Sequence, residues 1–257
     1  IGFGTYQLQG DICYQAVSTA LEVGYRYIDT ADRYQNQQEV GKAIQQSQLK
    51  RDELFVTSKI WHTNQYTKQI IDDAQRFLDE LQLEYLDLLL VHWPNRSIPI
   101  QETVDGFLKV LESGYVKHVG VSNCTVHHLE DFEKAGFPIE NNQIEFHPSL
   151  NQHELLTYCQ SKNIVVTAYS PLAQGDDLHL DTVTSLAQKY EKSPAQIVLN
   201  WIRQKGVVPI PRSESKEHIV DNYQSIHWGL TEEDIALLNQ VDQNHRVINP
   251  PFGDFDY

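Results

Sequence analysis

The sequence contains no methionine and only 3 cysteines. Cys13, Cys124 and Cys159 lie far apart, and none stands in a CxxC spacing. That pattern excludes a zinc ribbon or a disulfide framework and predicts free thiols in a reducing, cytoplasmic setting, with no metal. Positive charge is scarce: 20 Lys and Arg face 35 Asp and Glu, for a net charge of −15. A chain so acidic repels phosphate, which excludes a general nucleic-acid partner. Long apolar runs are missing too. The longest, around Leu86 to Val91, is interrupted by Asp87 and falls far short of the roughly 20 residues of a membrane helix, so no membrane partner is expected. No signal-peptide pattern precedes Ile1, and a few N-terminal residues are expected before it.

What is present is an alternation. Strand-like runs occupy Ile1–Tyr6, Tyr25–Ala31, Leu54–Ile60, Leu86–His92, His118–Ser122, Asn142–Phe146, Ile164–Ser170 and Val207–Pro211. Amphipathic stretches separate them. In Thr67–Leu83, the residues Ile70, Ile71, Ala74, Phe77, Leu78 and Leu81 share one face at helical spacing. In Ser193–Lys205, Ser193 is placed to cap, Pro194 suits the first helical position, and Gln196 is placed to complete a capping box. Further helices are expected at Ser215–Tyr223 and Thr231–Val241, before an irregular tail, Asn249–Tyr257. Strands alternating with helices imply parallel pairing. Eight such units predict a single α/β domain over 1–257, a parallel (β/α)8 barrel with an extra C-terminal helix and tail. An open doubly wound sheet is the alternative. The absence of a GxGxxG after the first strand counts against it, as does the fall of polar residues at the strands' C-terminal ends, where a barrel places its active site.

Those strand ends read Gly4-Thr5, Asp29, Lys59, His92, Ser122-Asn123, Gln143, Tyr169-Ser170 and Arg212-Ser213. Side chains alternate in and out along a strand, so Asp29, Lys59 and His92 can all point inward, over a floor that includes Leu90 and Phe55. An inward Lys beside an inward Asp is costly unless the two pair. The paired lysine would remain cationic and is expected to lower the pKa of Tyr34, five residues past Asp29. His92 adds a donor for a carbonyl oxygen. Together they suggest an oxyanion site with its own proton donor. Taken alone, Asp29 and Lys59 fit a structural ion pair equally well, and a buried barrel lysine also suits a Schiff-base aldolase.

The motifs carry more. Gly24-Tyr-Arg-Tyr-Ile-Asp29-Thr-Ala-Asp-Arg-Tyr34 resembles the signature of the aldo-keto reductase family. So do Thr57-Ser-Lys59-Ile-Trp61, Leu90-Val-His92-Trp-Pro94, Gly120-Val-Ser-Asn123, Asn142-Gln143-Ile-Glu, Ala168-Tyr-Ser-Pro-Leu172 and Ile210-Pro-Arg-Ser213, in the family's order along the whole chain. The short N-terminus and tail resemble the small bacterial members that reduce diketo sugar acids and 2-oxoaldehydes. The resemblance implies reduction of aldehydes and ketones by hydride transfer from NADPH, with Tyr34, Asp29, Lys59 and His92 as the catalytic four. It assigns Ser122, Asn123 and Gln143 to the nicotinamide amide and Tyr169 to the stacking ring. Ser170, Leu172, Arg212, Ser213, Asp221 and Asn222 would grip the rest of the dinucleotide, with Gly4 and Thr5 on the same side. Tyr6, Trp61, His92 and Trp93 would wall a pocket for a small carbonyl substrate. Three positions depart from the pattern: Arg212 stands for a lysine, His218 for an arginine and Gln37 for a glutamate. His218 can stack on adenine but contributes less charge toward a 2′-phosphate, so NADPH is expected to be preferred with NADH tolerated. A monomer is expected. A nicotinamide-binding regulatory protein, or an aldolase or isomerase on the same barrel, remains the alternative function.

Overall fold

The computed structural model describes residues 1–257. The chain runs β1 (Phe3–Gly4), α1 (Gly10–Val23), β2 (Tyr27–Asp29), α2 (Gln37–Gln46), β3 (Phe55–Ile60), α3 (Thr67–Leu81), β4 (Leu86–Val91), α4 (Ile100–Glu112) and β5 (Val116–Ser122). It continues α5 (Val126–Lys134), β6 (Asn141–Glu145), α6 (His153–Ser161), β7 (Val165–Tyr169), α7 (Asp181–Tyr190), α8 (Pro194–Gln204), β8 (Val208–Pro209), α9 (Lys216–Gln224) and α10 (Glu232–Leu238). The strands form one sheet in the order β1 to β8, every neighbouring pair parallel. The sheet curls until its two edges meet: Gly2 N–H donates to Pro209 O (2.9 Å) and Gly4 N–H to Pro211 O (3.1 Å). A Cβ on Gly4 would stand 2.8 Å from the carbonyl oxygen of Ile210, so glycine is needed where the edges approach. The architecture matches an α/β barrel.

Alternation along the strands divides the interior in two. Val56 and Ile60 of β3 and Leu89 and Val91 of β4 face outward and join one cluster of 52 buried residues that glues the sheet to the helices. Each such fully buried aliphatic side chain contributes about 1.5–3 kcal/mol. Leu88 and Leu90 are buried but outside that cluster, inside the curl of the sheet. Phe55 shares the inward parity of Lys59 but does not serve as a floor. It lies at the far end of β3, 36% exposed, edge-on to Tyr27. Beside Leu90, which does lie there, the material beneath the polar strand ends is Thr57, Thr167 and the buried phenol of Tyr27.

The helices form for the expected local reasons, with some corrections. On α3, Ile70, Ala74, Phe77, Leu78 and Leu81 are buried, and the helix stops at Gln82, in the left-handed region with φ 55. Ser193 Oγ caps α8 by accepting from Gln196 N–H (3.1 Å). The reciprocal half of the expected capping box is absent, because the Gln196 side-chain oxygen accepts from the Trp228 indole N–H instead (3.0 Å), while its amide nitrogen donates to Asp221 Oδ1 (2.6 Å). Strands β1 and β8 are shorter than the apolar runs that announced them. Pro209 and Pro211 have no N–H to give to a ladder, and the chain leaves β1 through a turn at Gln7, φ 65. No helix is long and apolar enough to cross a membrane.

Beyond α10 the chain crosses the mouth formed by the strands' C-terminal ends. Val247 N–H and Ile248 N–H donate to Glu145 Oε1 (2.7 Å) and Oε2 (2.9 Å) at the end of β6. At the terminus, Tyr257 donates its hydroxyl to Asp131 (2.6 Å) and accepts from Thr125 through its carbonyl (2.6 Å). The tail predicted to be irregular is therefore pinned at both ends.

Candidate active site

A cleft of about 870 Å³ opens at this mouth, within the size range of cofactor and ligand sites. Asp29 ends β2, Lys59 lies on β3, and His92 follows β4. Tyr34 closes the short helical turn Asp32–Tyr34. That turn is tied down from two sides: Arg76 of α3 pairs with Asp32 (2.8 Å), and Gln9 donates to the Tyr34 carbonyl (2.7 Å). Neither Arg76 nor Gln9 is recognisable from sequence, since each reaches the turn only through tertiary packing.

Lys59 is fully buried. Around its Nζ stand Asp29 Oδ1 at 2.5 Å, the Thr30 carbonyl at 2.8 Å and Tyr34 Oη at 3.3 Å. An ammonium has three protons, and here it finds three acceptors. Burial draws the Lys59 pKa below its ordinary value, against the upward pull of Asp29. The second oxygen of Asp29 accepts from the Gln143 amide at 2.7 Å. The carboxylate thus joins lysine and glutamine into one rigid unit.

The expectation that Lys59 lowers the pKa of Tyr34 is corrected by the structure. Burial, and after it the negative charge of Asp29, hold the Tyr34 phenol well above its ordinary value. Desolvation penalises the phenolate more than the lysine, itself shared with Asp29, can recover. The phenol is accordingly a firmly protonated group. Because its oxygen accepts from Lys59, its own proton is left to point toward the cleft.

The His92 ring lies edge-on to Tyr34, centroids 5.7 Å apart, and to Trp61 at 5.2 Å. Burial, then the charges of Lys59 and His62, push its pKa well below the usual histidine range, so the ring is neutral. Its Nδ1 is buried without a partner, which leaves Nε2 as the nitrogen on the cleft side.

Most other predicted site residues converge here. Gly4, Tyr6, Trp61, Trp93, Ser122, Gln143, Tyr169, Ser170, Leu172 and Arg212 line the same cleft as Asp29, Tyr34 and His92. Asn123 stands behind Tyr169, accepting its hydroxyl at 2.6 Å. Thr5 faces away, its hydroxyl donating to the Asp29 carbonyl (3.0 Å). Ser213, His218, Asp221 and Asn222 lie on or beside α9, outside the main cleft. Asp221 has both oxygens engaged by Ser193 and Gln196 at the start of α8. Its visible work is to hold that helix end.

The tail adds a wall. Phe252 stacks on His62 (4.4 Å) and meets Trp61 and Trp93 edge-on at 5.5 Å each. Gln37, which departs from the usual glutamate, is buried between Ser58 and Glu80, accepting from the first (2.5 Å) and donating to the second (2.6 Å). A glutamate there would face Glu80 with like charge.

The donor set fits a nicotinamide dinucleotide. The Tyr169 ring forms a platform fixed by Asn123, with Ser122 and Gln143 on the same wall. Arg212, at the mouth, rests only on Gln7 (3.0 Å) and Glu214 (3.3 Å), contacts an anion could replace. The fold and these residues define a barrel oxidoreductase of the non-Rossmann kind. The chain belongs to the aldo/keto reductase family, whose model matches residues 1–176 and 177–243.

It is similar to the glyoxal reductase of Bacillus subtilis, 39% identical over 248 residues that cover 96% of this chain and 90% of that protein. It is also similar to the methylglyoxal reductase of Yersinia pestis, 35% identical, with 97% and 95% covered. Among solved structures, an aldo-keto reductase from a Medee basin deep-sea metagenome library superposes with a TM-score of 0.94. It is 38% identical, and the match covers 100% of this chain and 95% of that one. An aldo-keto reductase solved in complex with NADPH superposes with a TM-score of 0.91 at 30% identity, covering 98% and 86%.

Proposed function

We propose that this chain reduces small, activated aldehydes and ketones to alcohols with NADPH, tolerating NADH, on a closed (β/α)8 barrel that is one domain and acts as a monomer. The observation that carries the reading is the Asp29–Lys59–Tyr34 chain, facing the neutral His92 across the cleft. The family and the NADPH-bound relative support the cofactor. The relatives named for glyoxal and methylglyoxal support the substrate size, as does the aromatic wall of Trp61, Trp93 and Phe252. Three free, buried cysteines suit a reducing, cytoplasmic setting.

When bound, NADPH supplies the hydride that the carbonyl carbon receives. The chain supplies the rest. Nε2 of His92 and Oη of Tyr34 bracket the carbonyl oxygen and orient it. Tyr34 gives its proton to that oxygen as negative charge develops there, and Lys59, with a proton already directed at Oη, stabilises the phenolate left behind. Asp29 holds Lys59 in the cationic form. One aldehyde and one proton are consumed for each NADPH oxidised. Lys59 is a poor candidate for Schiff-base chemistry, because its nitrogen is buried and all three neighbours are acceptors.

The test is steady-state oxidation of NADPH and NADH by purified protein with methylglyoxal, glyoxal and a steroid ketone. Turnover of the small carbonyls, faster with NADPH, is expected. Cofactor binding without turnover on any carbonyl would favour a regulatory protein instead.

A further inference from the structure

The protein carries a net charge of −15, yet its cleft does not share that sign. Of the side chains lining it, Asp29 is the only carboxylate, and Lys59 neutralises it. Two arginines, Arg33 and Arg212, line the same cleft. A cleft of opposite sign to its surroundings concentrates anions. Arg212 stands on the β8 side beside Gln7, where the proposed cofactor phosphates fall. Arg33 stands elsewhere, on the turn that carries Tyr34.

Its surroundings are specific. The Arg33 guanidinium carbon lies 5.5 Å from the centre of the Trp61 ring, and Trp61 in turn meets His92 at 5.2 Å. Stacking of this kind orients the planar guanidinium while leaving its N–H fork free. Arg26, Arg51, Arg76, Arg96, Arg203 and Arg212 each donate to a carboxylate or a backbone carbonyl. Arg33 and Arg246 donate to neither, and of the two only Arg33 lines the cleft, Arg246 lying over the Phe255 ring (3.8 Å). An unpaired guanidinium steadied on an aromatic ring, one ring away from the group that holds the carbonyl oxygen, is complementary to a carboxylate.

We propose that Arg33 is a substrate-binding residue that selects aldehydes and ketones bearing a carboxylate a few atoms from the carbonyl. This rests on the carbonyl-reductase reading above. With the carbonyl oxygen between Tyr34 and His92, the substrate chain runs along the face of Trp61, and its carboxylate meets the Arg33 fork. Methylglyoxal and glyoxal, which have no anion, use the same oxygen site without this contact.

The matched probes are 4-oxobutanoate and its methyl ester, which differ in one charge. Wild-type protein is expected to prefer the acid in kcat/KM. In Arg33→Gln the acid-to-ester ratio should fall about fivefold, the upper end for an ion pair at an exposed side chain, mostly through KM. Arg33→Lys should restore part of the ratio. Added salt should lower it in wild type more than in Arg33→Gln. An unchanged ratio in Arg33→Gln overturns the proposal. A tenfold weakening of NADPH binding in that variant also overturns it, since Arg33 would then hold the cofactor. Failure of wild-type protein to reduce either probe or methylglyoxal would overturn the reductase reading itself, whereas ester turnover with no preference for the acid overturns only the role of Arg33.

Discussion

Gln143 Nε2 donates to Asp29 Oδ2 at 2.7 Å, joining β6 to β2 across the inside of the barrel. The same carboxylate holds Lys59 through its other oxygen. One buried charge therefore fixes both the lysine behind the proton donor and an amide on the proposed nicotinamide wall.

Asp29→Asn should damage both. It leaves Lys59 buried without its counter-charge, and breaking a buried pair costs about 3–5 kcal/mol. A fall in melting temperature is expected together with loss of most turnover, read by thermal unfolding and NADPH oxidation. Full activity at an unchanged melting temperature would make the pair dispensable.

A second buried cluster should give the protein a pH-dependent stability. His147 Nε2 meets Glu145 (3.0 Å) and its Nδ1 meets Asp177 (3.2 Å), linking β6 to the loop that follows β7. Glu145 also holds the tail through Val247 and Ile248. Burial pulls the His147 pKa down, but the hydrogen bonds to Asp177 and Glu145 outweigh it and the net shift is upward. Burial pushes Asp177 up, and its bonds to His147 and Ser149 bring it below the ordinary carboxylate value. A raised histidine contributes stability that is full below its unfolded pKa of about 6.5 and is lost as pH rises through the folded value. A depressed aspartate contributes above about 3.9 and is lost as pH falls through its folded value. The gap in melting temperature between wild type and His147→Gln should therefore be wider at mildly acid pH than in alkali. A gap that widens toward alkaline pH would contradict the assignment.

Arg212 should discriminate between cofactors. Charge-assisted hydrogen bonds contribute about 1.5–3 kcal/mol each, so Arg212→Ala should weaken NADPH roughly ten- to a hundredfold and NADH far less. Dissociation constants for both cofactors at fixed salt decide it. Equal losses would place Arg212 on a group the two share.

The strand ends were readable from sequence because each is a polar residue terminating a short apolar run, and the barrel turns that order into a ring. Asp29, Lys59, His92, Gln143 and Tyr169 meet for that reason. What sequence could not supply was the balance of burial against charge. Tyr34 is held protonated although a lysine stands beside it. Nor could it supply contacts made by distant segments, such as Asp221 at the start of α8, Arg76 under the Tyr34 turn and the tail hung on Glu145. Arg33 was visible in the Asp-Arg-Tyr34 run, but only its unpaired place over Trp61 gives it meaning.

The role of Tyr34 as proton donor is tested most directly by the turnover of Tyr34→Phe with methylglyoxal and NADPH, alongside its NADPH dissociation constant. Phenylalanine keeps the ring and removes the proton. A loss of about 10²–10⁴ in rate, the usual contribution of a general acid, is expected, with cofactor binding nearly unchanged. Turnover close to wild type in Tyr34→Phe would contradict it.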